Sequence, residues 1–340
     1  MATQTLAEIA RQMVQPPGGI LAADESPSTM GKRLETIGLP NNLQNRLAWR
    51  MIMATANLRP AVNAIILPEE MLDQEELIAA LREQGVIIGV KIDGGLEPFA
   101  DSEVEEVTKG ADDPALRERL EGYFARGAQF TKFRSLIHID PARGFPSVDC
   151  LAANVRAQVK FARASQDVGL VPMVEPEVDM VGAHLLGECW MVTENLLRLT
   201  FDRLRAGGVI CSRMILKPNM VVSGKNSANR AGPQEVAKAT LNMLRRVVPV
   251  SVPGVAFLSG GQTDAEAYAN LDAIVKLGEW QVPFELTYSF GRAAQDTARK
   301  VWRGEAANIK EAQQAFEEQL EKMSQARLGT LIPAEEPAPV

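Results

Sequence analysis

Short apolar segments recur along the chain, and each is followed by a stretch with helical periodicity. Eight segments stand out, at residues 19–24, 62–67, 86–91, 130–134, 170–175, 214–217, 254–259 and 284–289. Their apolar residues are mostly continuous rather than alternating, which is typical of parallel strands covered on both faces. Eight strand–helix units predict an α/β fold, a (β/α)8 TIM barrel. An open, doubly wound sheet is the alternative, because alternation alone does not show that a sheet closes.

Turn and capping residues indicate where several helices begin. Asp-Pro at 113–114 and Gly-Pro at 232–233 predict helix starts, since proline is favoured in the first turn. Thr-Asp-Ala-Glu at 263–266 has the spacing of a capping box. Residues 292–328 have helical periodicity and predict a long C-terminal helical segment that ends at Gly329.

Composition narrows the class of protein. The 340 residues are 46% hydrophobic and 23% charged, as in soluble globular domains. We expect one catalytic barrel domain over residues 1–328, followed by a mobile tail rich in proline, alanine and glutamate over 329–340.

With 36 basic and 43 acidic residues the net charge is −7, which disfavours a nucleic-acid partner. No apolar run approaches the roughly 20 residues that cross a bilayer. Three cysteines without paired spacing and no secretory signal predict a cytoplasmic protein.

The histidines argue against a zinc enzyme. His138 and His184 are the only two, and their spacing is not that of metal ligands. We therefore expect no metal site and no cofactor, and a structural role for each histidine.

Charged residues collect at the C-terminal ends of the apolar segments. In a TIM barrel these ends converge on the face that carries the active site. Any one of the charges could mark only where a strand meets water, but together they predict a catalytic cluster. The residues are Asp24, Lys91, Asp93, Lys132, Arg134, Glu175, Glu177 and Lys217.

Lys217 is the strongest candidate for a nucleophile. It lies among apolar residues, and a second ammonium such as Lys132 would favour the neutral amine that attacks carbonyls. Burial would raise the pKa of Glu175, which could then deliver and withdraw protons as an imine forms. Because Glu177 lies close by, the two glutamates would push each other's pKa values apart. The alternative is a structural Lys217 paired with one of these glutamates.

Two groups of residues fit anion binding. Serine, glycine and arginine follow the seventh and eighth segments, where barrels commonly bind phosphate, although ordinary turns have the same composition. A substrate with a phosphate at each end would suit two such groups around a central lysine. The first group is Ser259, Gly260, Gly261, Ser289, Gly291 and Arg292, and the second is Ser26, Thr29, Lys32, Arg33, Lys91 and Arg134.

Six motifs in order resemble those of class I fructose-1,6-bisphosphate aldolases. They are GGILAADES, GVKID, VPMVEPE, MILKPNMV, FLSGGQ and SFGR, and they extend from about Pro17 past Arg292. The resemblance implies reversible, metal-independent cleavage of fructose 1,6-bisphosphate into dihydroxyacetone phosphate and glyceraldehyde 3-phosphate, as in glycolysis and gluconeogenesis. It also implies sugar phosphates as ligands and a homo-oligomer, with a tetramer as the leading expectation.

The same resemblance implies a role for each matching residue. Lys217 would form the Schiff base, Glu175 would be the main proton shuttle, and Glu177 would be its neighbour. Lys132 would lower the pKa of the nucleophile, and Asp24 would orient intermediates. Lys91 and Arg134 would face the C6 phosphate, and Ser259, Gly260, Gly291 and Arg292 the C1 phosphate. Eukaryotic members end in a tyrosine credited with protonating the enamine, whereas this sequence ends in Val340, so that proton donor is left open.

Two other functions remain to be weighed. One is a different Schiff-base aldolase or a transaldolase that acts on a monophosphate sugar. The other is a binding scaffold that keeps the barrel without turnover. Comparing cleavage of fructose 1,6-bisphosphate with that of fructose 1-phosphate separates the enzymes, because two anion groups favour the bisphosphate.

Overall fold

The computed structural model describes residues 4–332, and its centre is a closed barrel of eight parallel strands. The barrel strands are β1 Gly19–Ala22, β2 Val62–Pro68, β3 Ile87–Lys91, β6 Phe130–Ile137, β7 Val171–Val178, β8 Ile215–Leu216, β9 Gly254–Phe257 and β10 Glu285–Phe290. An antiparallel hairpin of β4 (Leu96–Pro98) and β5 (Glu106–Thr108) lies outside the barrel. Strands pair in chain order around the barrel, and β10 pairs with β1 to close it. The predicted TIM barrel is confirmed, and the open sheet is wrong.

Helices connect the strands and form the outer layer. They are α1 Leu6–Met13, α2 Pro27–Glu35, α3 Leu43–Ala54, α4 Glu75–Glu83, α5 Leu116–Ala125, α6 Val148–Asp167, α7 Leu186–Ala206, α8 Pro233–Val247, α9 Asp264–Gly278, α10 Arg292–Trp302 and α11 Ile309–Leu328. Within residues 4–332, none combines the length and apolar character needed to cross a membrane.

Apolar side chains fill the barrel interior, and α1 covers its N-terminal end. Phe130 and Met173 are fully buried there and belong to one cluster with Ile9 and Met13 of α1. The Phe130 ring lies over Gly89 of β3, where an added Cβ would be 2.3 Å from the ring. Because this end is solidly packed, a ligand can approach the barrel centre only from the C-terminal end of the strands.

Two predicted helix starts are confirmed and one is wrong. Thr263 forms the predicted capping box ahead of α9, and α8 begins at Pro233. The start predicted at 113–114 lies too early, since α5 begins at Leu116. The Asp113 side chain instead accepts a hydrogen bond from the Ala115 N–H at 2.9 Å and so caps the turn before the helix.

The segment 292–328 contains two α-helices rather than one continuous helix. Arg303 and Gly304 adopt positive φ angles of 50° and 82° between them, which an α-helix does not accommodate. Gly329 ends the second helix with φ 68°, as predicted. Residues 333–340 of the predicted tail lie outside the described residues, so the proposed division of the chain stays a prediction.

Candidate active site

A cavity of about 650 Å³ opens at the C-terminal end of the barrel, where the charged cluster is predicted. Barrel strands deliver most of its charges. Strands β6 and β7 each extend three residues beyond the predicted segments, so their charged residues lie within the strands rather than at the ends. Lys91 ends β3, Lys132 and Arg134 lie in β6, and Glu175 lies in β7. The predicted residues that line the cavity are Asp24, Ser26, Thr29, Arg33, Lys91, Asp93, Lys132, Arg134, Glu175, Lys217 and Gly291.

Glu175 joins two lysines at the floor of this cavity. Its Oε1 lies 3.0 Å from Lys217 Nζ, and its Oε2 lies 2.7 Å from Lys132 Nζ. Lys132 Nζ also lies 2.9 Å from Asp24 Oδ2. Lys217 thus pairs with a glutamate, the structural alternative considered from the sequence. The same contact places the candidate nucleophile within hydrogen-bond reach of a base, so pairing and catalysis are compatible here.

The pKa of Glu175 shifts in the direction opposite to the one expected from the sequence. Burial raises the pKa of Glu175, but the charges of Lys132 and Lys217 outweigh it and hold the pKa below its usual value. Burial also raises the pKa of Asp24, and the same two lysines again lower it overall. Burial lowers the pKa of Lys132, whereas Asp24 and Glu175 raise it to a value above the usual one. The expectation of a raised pKa for Glu175 is therefore wrong for the free protein.

Three cations near the cavity mouth already have carboxylate partners. Lys91 Nζ lies 2.6 Å from Asp93 Oδ1, and Arg33 pairs with Glu25. Arg134 Nε pairs with Glu177, a residue predicted for the site that does not itself line the cavity. Burial lowers the pKa of Arg134, but the charge of Glu177 raises it overall. Any anion that binds these cations must compete with the carboxylates.

The first predicted anion group is divided between two cavities in the free protein. Gly291 lines the cavity, but Arg292 lines a neighbouring cavity of about 650 Å³, together with Gly261. The exposed Arg292 side chain donates to the Gln262 carbonyl oxygen at 2.7 Å. That these residues form one phosphate site stays a prediction. Three residues of this group, Ser259, Gly260 and Ser289, line neither cavity.

Several cavity residues were missed by the sequence analysis. Glu25 directly follows Asp24, so the rule of charges at strand ends could have assigned it to the site. Residues 94–96 lead into the hairpin, and no charged residue there indicated that they belong to the site. The missed lining residues are Ala22, Glu25, Ser28, Gly94, Gly95 and Leu96.

Neither histidine lines the cavity. His138 lies between two carboxylates, with Nε2 3.0 Å from Glu106 Oε2 and Nδ1 3.0 Å from Asp179 Oδ2. Its hydrogen bond with Asp179 raises the pKa of His138. Burial lowers the pKa of His184. His138 thereby links the hairpin to the residue that follows β7.

A family model and several curated relatives that match this chain are described as fructose-bisphosphate aldolases. A family model described as fructose-bisphosphate aldolase class-I matches residues 5–338. A probable fructose-bisphosphate aldolase class 1 from Xanthomonas campestris is 40% identical, with 97% of this chain and 99% of the relative covered. The non-muscle fructose-bisphosphate aldolase of Lethenteron camtschaticum is also 40% identical, with 97% and 91% covered.

A solved structure agrees with these sequence matches. It is a fructose-bisphosphate aldolase from Plasmodium falciparum in complex with TRAP and a small-molecule inhibitor. The TM-score is 0.93 at 36% identity, with 97% of this chain and 95% of that chain covered. Similarity in sequence and fold thus extends over nearly the whole chain. The chain therefore belongs to the class-I fructose-bisphosphate aldolase family and is a lyase.

Proposed function

We propose that this protein cleaves fructose 1,6-bisphosphate reversibly into dihydroxyacetone phosphate and glyceraldehyde 3-phosphate through a Schiff base on Lys217, without a metal ion. The observation that carries the proposal is the position of Glu175, whose two oxygens contact Lys217 and Lys132 at the cavity floor. A nucleophile, a proton carrier and a second cation thus lie within one hydrogen-bonded group.

Imine formation uses the contact between Lys217 and Glu175. The Lys217 amine attacks the C2 carbonyl of the substrate, and C2 loses its oxygen as water when the carbinolamine dehydrates. Glu175 Oε1, 3.0 Å from Lys217 Nζ, accepts the ammonium proton and returns it to the departing hydroxyl. The protonated imine then withdraws electrons from C3.

Bond cleavage uses the same carboxylate. Glu175 takes the C4 hydroxyl proton, the C3–C4 bond breaks, and its electron pair moves into an enamine rather than a free carbanion. Lys132 stabilises the developing negative charge, and Asp24 orients the intermediate through its 2.9 Å contact with Lys132. Protonation and hydrolysis of the enamine release dihydroxyacetone phosphate and free Lys217.

Cationic residues around the cavity floor bind both phosphates of the substrate. Arg33, Lys91 and Arg134, with Ser26 and Thr29, bind the phosphate at one end. The other phosphate binds at Ser259, Gly260, Gly261, Ser289, Gly291 and Arg292 once Arg292 leaves the Gln262 carbonyl. The adjacency of Gly291 and Arg292, which line neighbouring cavities, supports this exchange.

Reductive trapping tests the proposal. Borohydride with dihydroxyacetone phosphate should add a stable mass to the peptide that contains Lys217, and Lys217→Met should remove both the adduct and the cleavage activity. Lys225→Met is a matched control, because Lys225 is an exposed lysine of the neighbouring cavity. An adduct mainly on Lys132 or Lys91 would refute the assignment of the nucleophile.

Two further experiments test metal independence and the preference for a bisphosphate substrate. Activity should survive a chelator, and a loss that zinc restores would contradict metal independence. Cleavage of fructose 1,6-bisphosphate should exceed that of fructose 1-phosphate, and the opposite order would favour an aldolase for monophosphates. The cytoplasmic location, the homo-oligomeric state, and the catalytic domain of residues 1–328 with its tail stay predictions.

A further inference from the structure

The segment that carries Asp24 leaves the barrel sheet before it reaches this residue. Strand β1 ends at Ala22, and the Ala23 N–H still donates to the Ile66 carbonyl oxygen at 3.0 Å. Helix α2 begins only at Pro27. Asp24 therefore lies in a short connection, although its carboxylate must keep a 2.9 Å contact with Lys132.

A buried arginine holds the backbone on both sides of Asp24. Arg50 of α3 is 1% exposed, and its Nε donates to the Ala23 carbonyl oxygen at 3.2 Å. Its Nη2 donates to the Glu25 carbonyl oxygen, also at 3.2 Å. A guanidinium group offers its donors in a rigid plane, so two contacts fix the relative positions of the two carbonyls.

A buried glutamine on another helix holds the same segment. Gln295 of α10 is fully buried, and its Nε2 donates to the Ala22 carbonyl oxygen at 2.7 Å and to Glu25 Oε1 at 3.0 Å. The Trp49 indole donates to Gln295 Oε1 at 2.9 Å, which fixes the orientation of the amide. Neither Arg50 nor Gln295 lines the substrate cavity.

We propose that Arg50 and Gln295 are positioning residues that fix the backbone of residues 22–25 and thereby hold the Asp24 carboxylate against Lys132. The inference rests on the proposed function, because the part of Asp24 in cleavage belongs to it. Loss of either side chain lets the connection move by a fraction of an ångström to an ångström, and displacements of about that size cost up to ~100-fold in rate.

A double-mutant cycle with Asp24 tests the proposal. Arg50→Lys keeps the positive charge but loses the planar pair of donors, and it should lower kcat for cleavage roughly 10- to 100-fold with little change in KM. In an Asp24→Asn background the same change should lower kcat no further, because the carboxylate that it positions is already absent. Rates are expressed per active site, counted by borohydride trapping of dihydroxyacetone phosphate on Lys217.

Arg46→Lys is the matched control on the same helix. Arg46 lies one turn earlier and pairs with Glu70 at 2.6 Å, away from residues 22–25. Its replacement should leave kcat per active site unchanged.

A purely structural role gives a different result. It predicts a lower melting temperature with normal kcat per active site, or losses that multiply fully in the double mutant, and either outcome overturns the proposal. If Arg50→Lys does not fold, the same double-mutant cycle is carried out with Gln295→Met and Asp24→Asn. The proposal then predicts the same loss of kcat in the single variant and no further loss in the double variant. Failure of the proposed function is distinguishable, because the unmodified protein would then form no adduct at Lys217.

Discussion

The two sides of the candidate site differ in how their charges are held. On the floor, Lys132, Lys217 and Glu175 have side chains only 4% exposed, and each lies within 3.0 Å of an opposite charge. On the side proposed to bind phosphate, Arg292 is exposed and contacts an uncharged backbone oxygen at Gln262. Both sets come from barrel strands or from the residues just after them, so the type of element does not explain the difference.

Burial explains it. A buried charge loses several kcal/mol of hydration and requires a partner, so the floor groups are locked together before any substrate arrives. An exposed arginine keeps its hydration and is free to exchange a backbone oxygen for a phosphate. In the proposed function the chemical groups are thus preorganised, whereas the ligand completes the proposed phosphate site. Three predictions follow this comparison, from the largest effect to the smallest.

Glu175→Gln should have the largest effect. It removes the proton carrier, and general acid–base groups contribute about 10²- to 10⁴-fold, so kcat should fall by that factor with a small change in KM. It also leaves Lys132 and Lys217 without a shared counter-charge, so the melting temperature should fall. Steady-state kinetics and thermal unfolding measure both effects.

Glu70→Gln is the control for this change. It removes a carboxylate that pairs with Arg46 outside the cavity, and kcat should be unchanged. A Glu175→Gln protein with the original kcat would show that the buried cluster is structural only.

Arg292→Ala should act on binding alone. A hydrogen bond to a charged group contributes about 1.5–3 kcal/mol, so KM for the bisphosphate should rise roughly 10- to 100-fold. The melting temperature should stay constant, because the side chain is exposed and donates to one backbone oxygen. Arg230→Ala is the matched control, since Arg230 lines the same neighbouring cavity and pairs with Glu266. Equal KM values for the two variants would remove Arg292 from the phosphate site.

His138→Gln tests whether ion pairs outside the cavity affect stability without affecting chemistry. The pKa of His138 is raised above 6.5 in the folded protein by Asp179 and Glu106. Its stabilisation is therefore complete below the unfolded pKa and is lost as the pH rises through the folded one.

The variant should lower the free energy of unfolding by about 1 kcal/mol near pH ~6 and by much less near pH ~9. Urea unfolding at the two pH values measures this difference, with His184→Gln as the comparison variant. A loss that does not depend on pH would mean that the charge of His138 contributes nothing.

The fold could be predicted from the sequence because its information is local. Continuous apolar segments of strand length predicted the barrel, and the capping box at Thr263 marked the start of α9. The break between α10 and α11 was missed, although Gly304, which has a positive φ there, is a local signal for a helix end. The rule of charges along the strands placed Lys217 and Glu175 in the cavity. Lys217 directly follows β8, whereas Glu175 is the fifth of the eight residues of β7 rather than its last.

The sequence by itself determined the strands and the charged cluster at the barrel face, and its motifs determined the family. Only the tertiary structure decided the direction of the pKa shift of Glu175, which depends on Lys132 and Lys217 from two other strands. It also decided that Arg50, a residue within a helix, supports the two carbonyls around Asp24. The physical reason is that hydrogen bonds and Coulomb interactions act over a few ångströms in space, whereas spacing along the chain specifies only the face on which a residue lies.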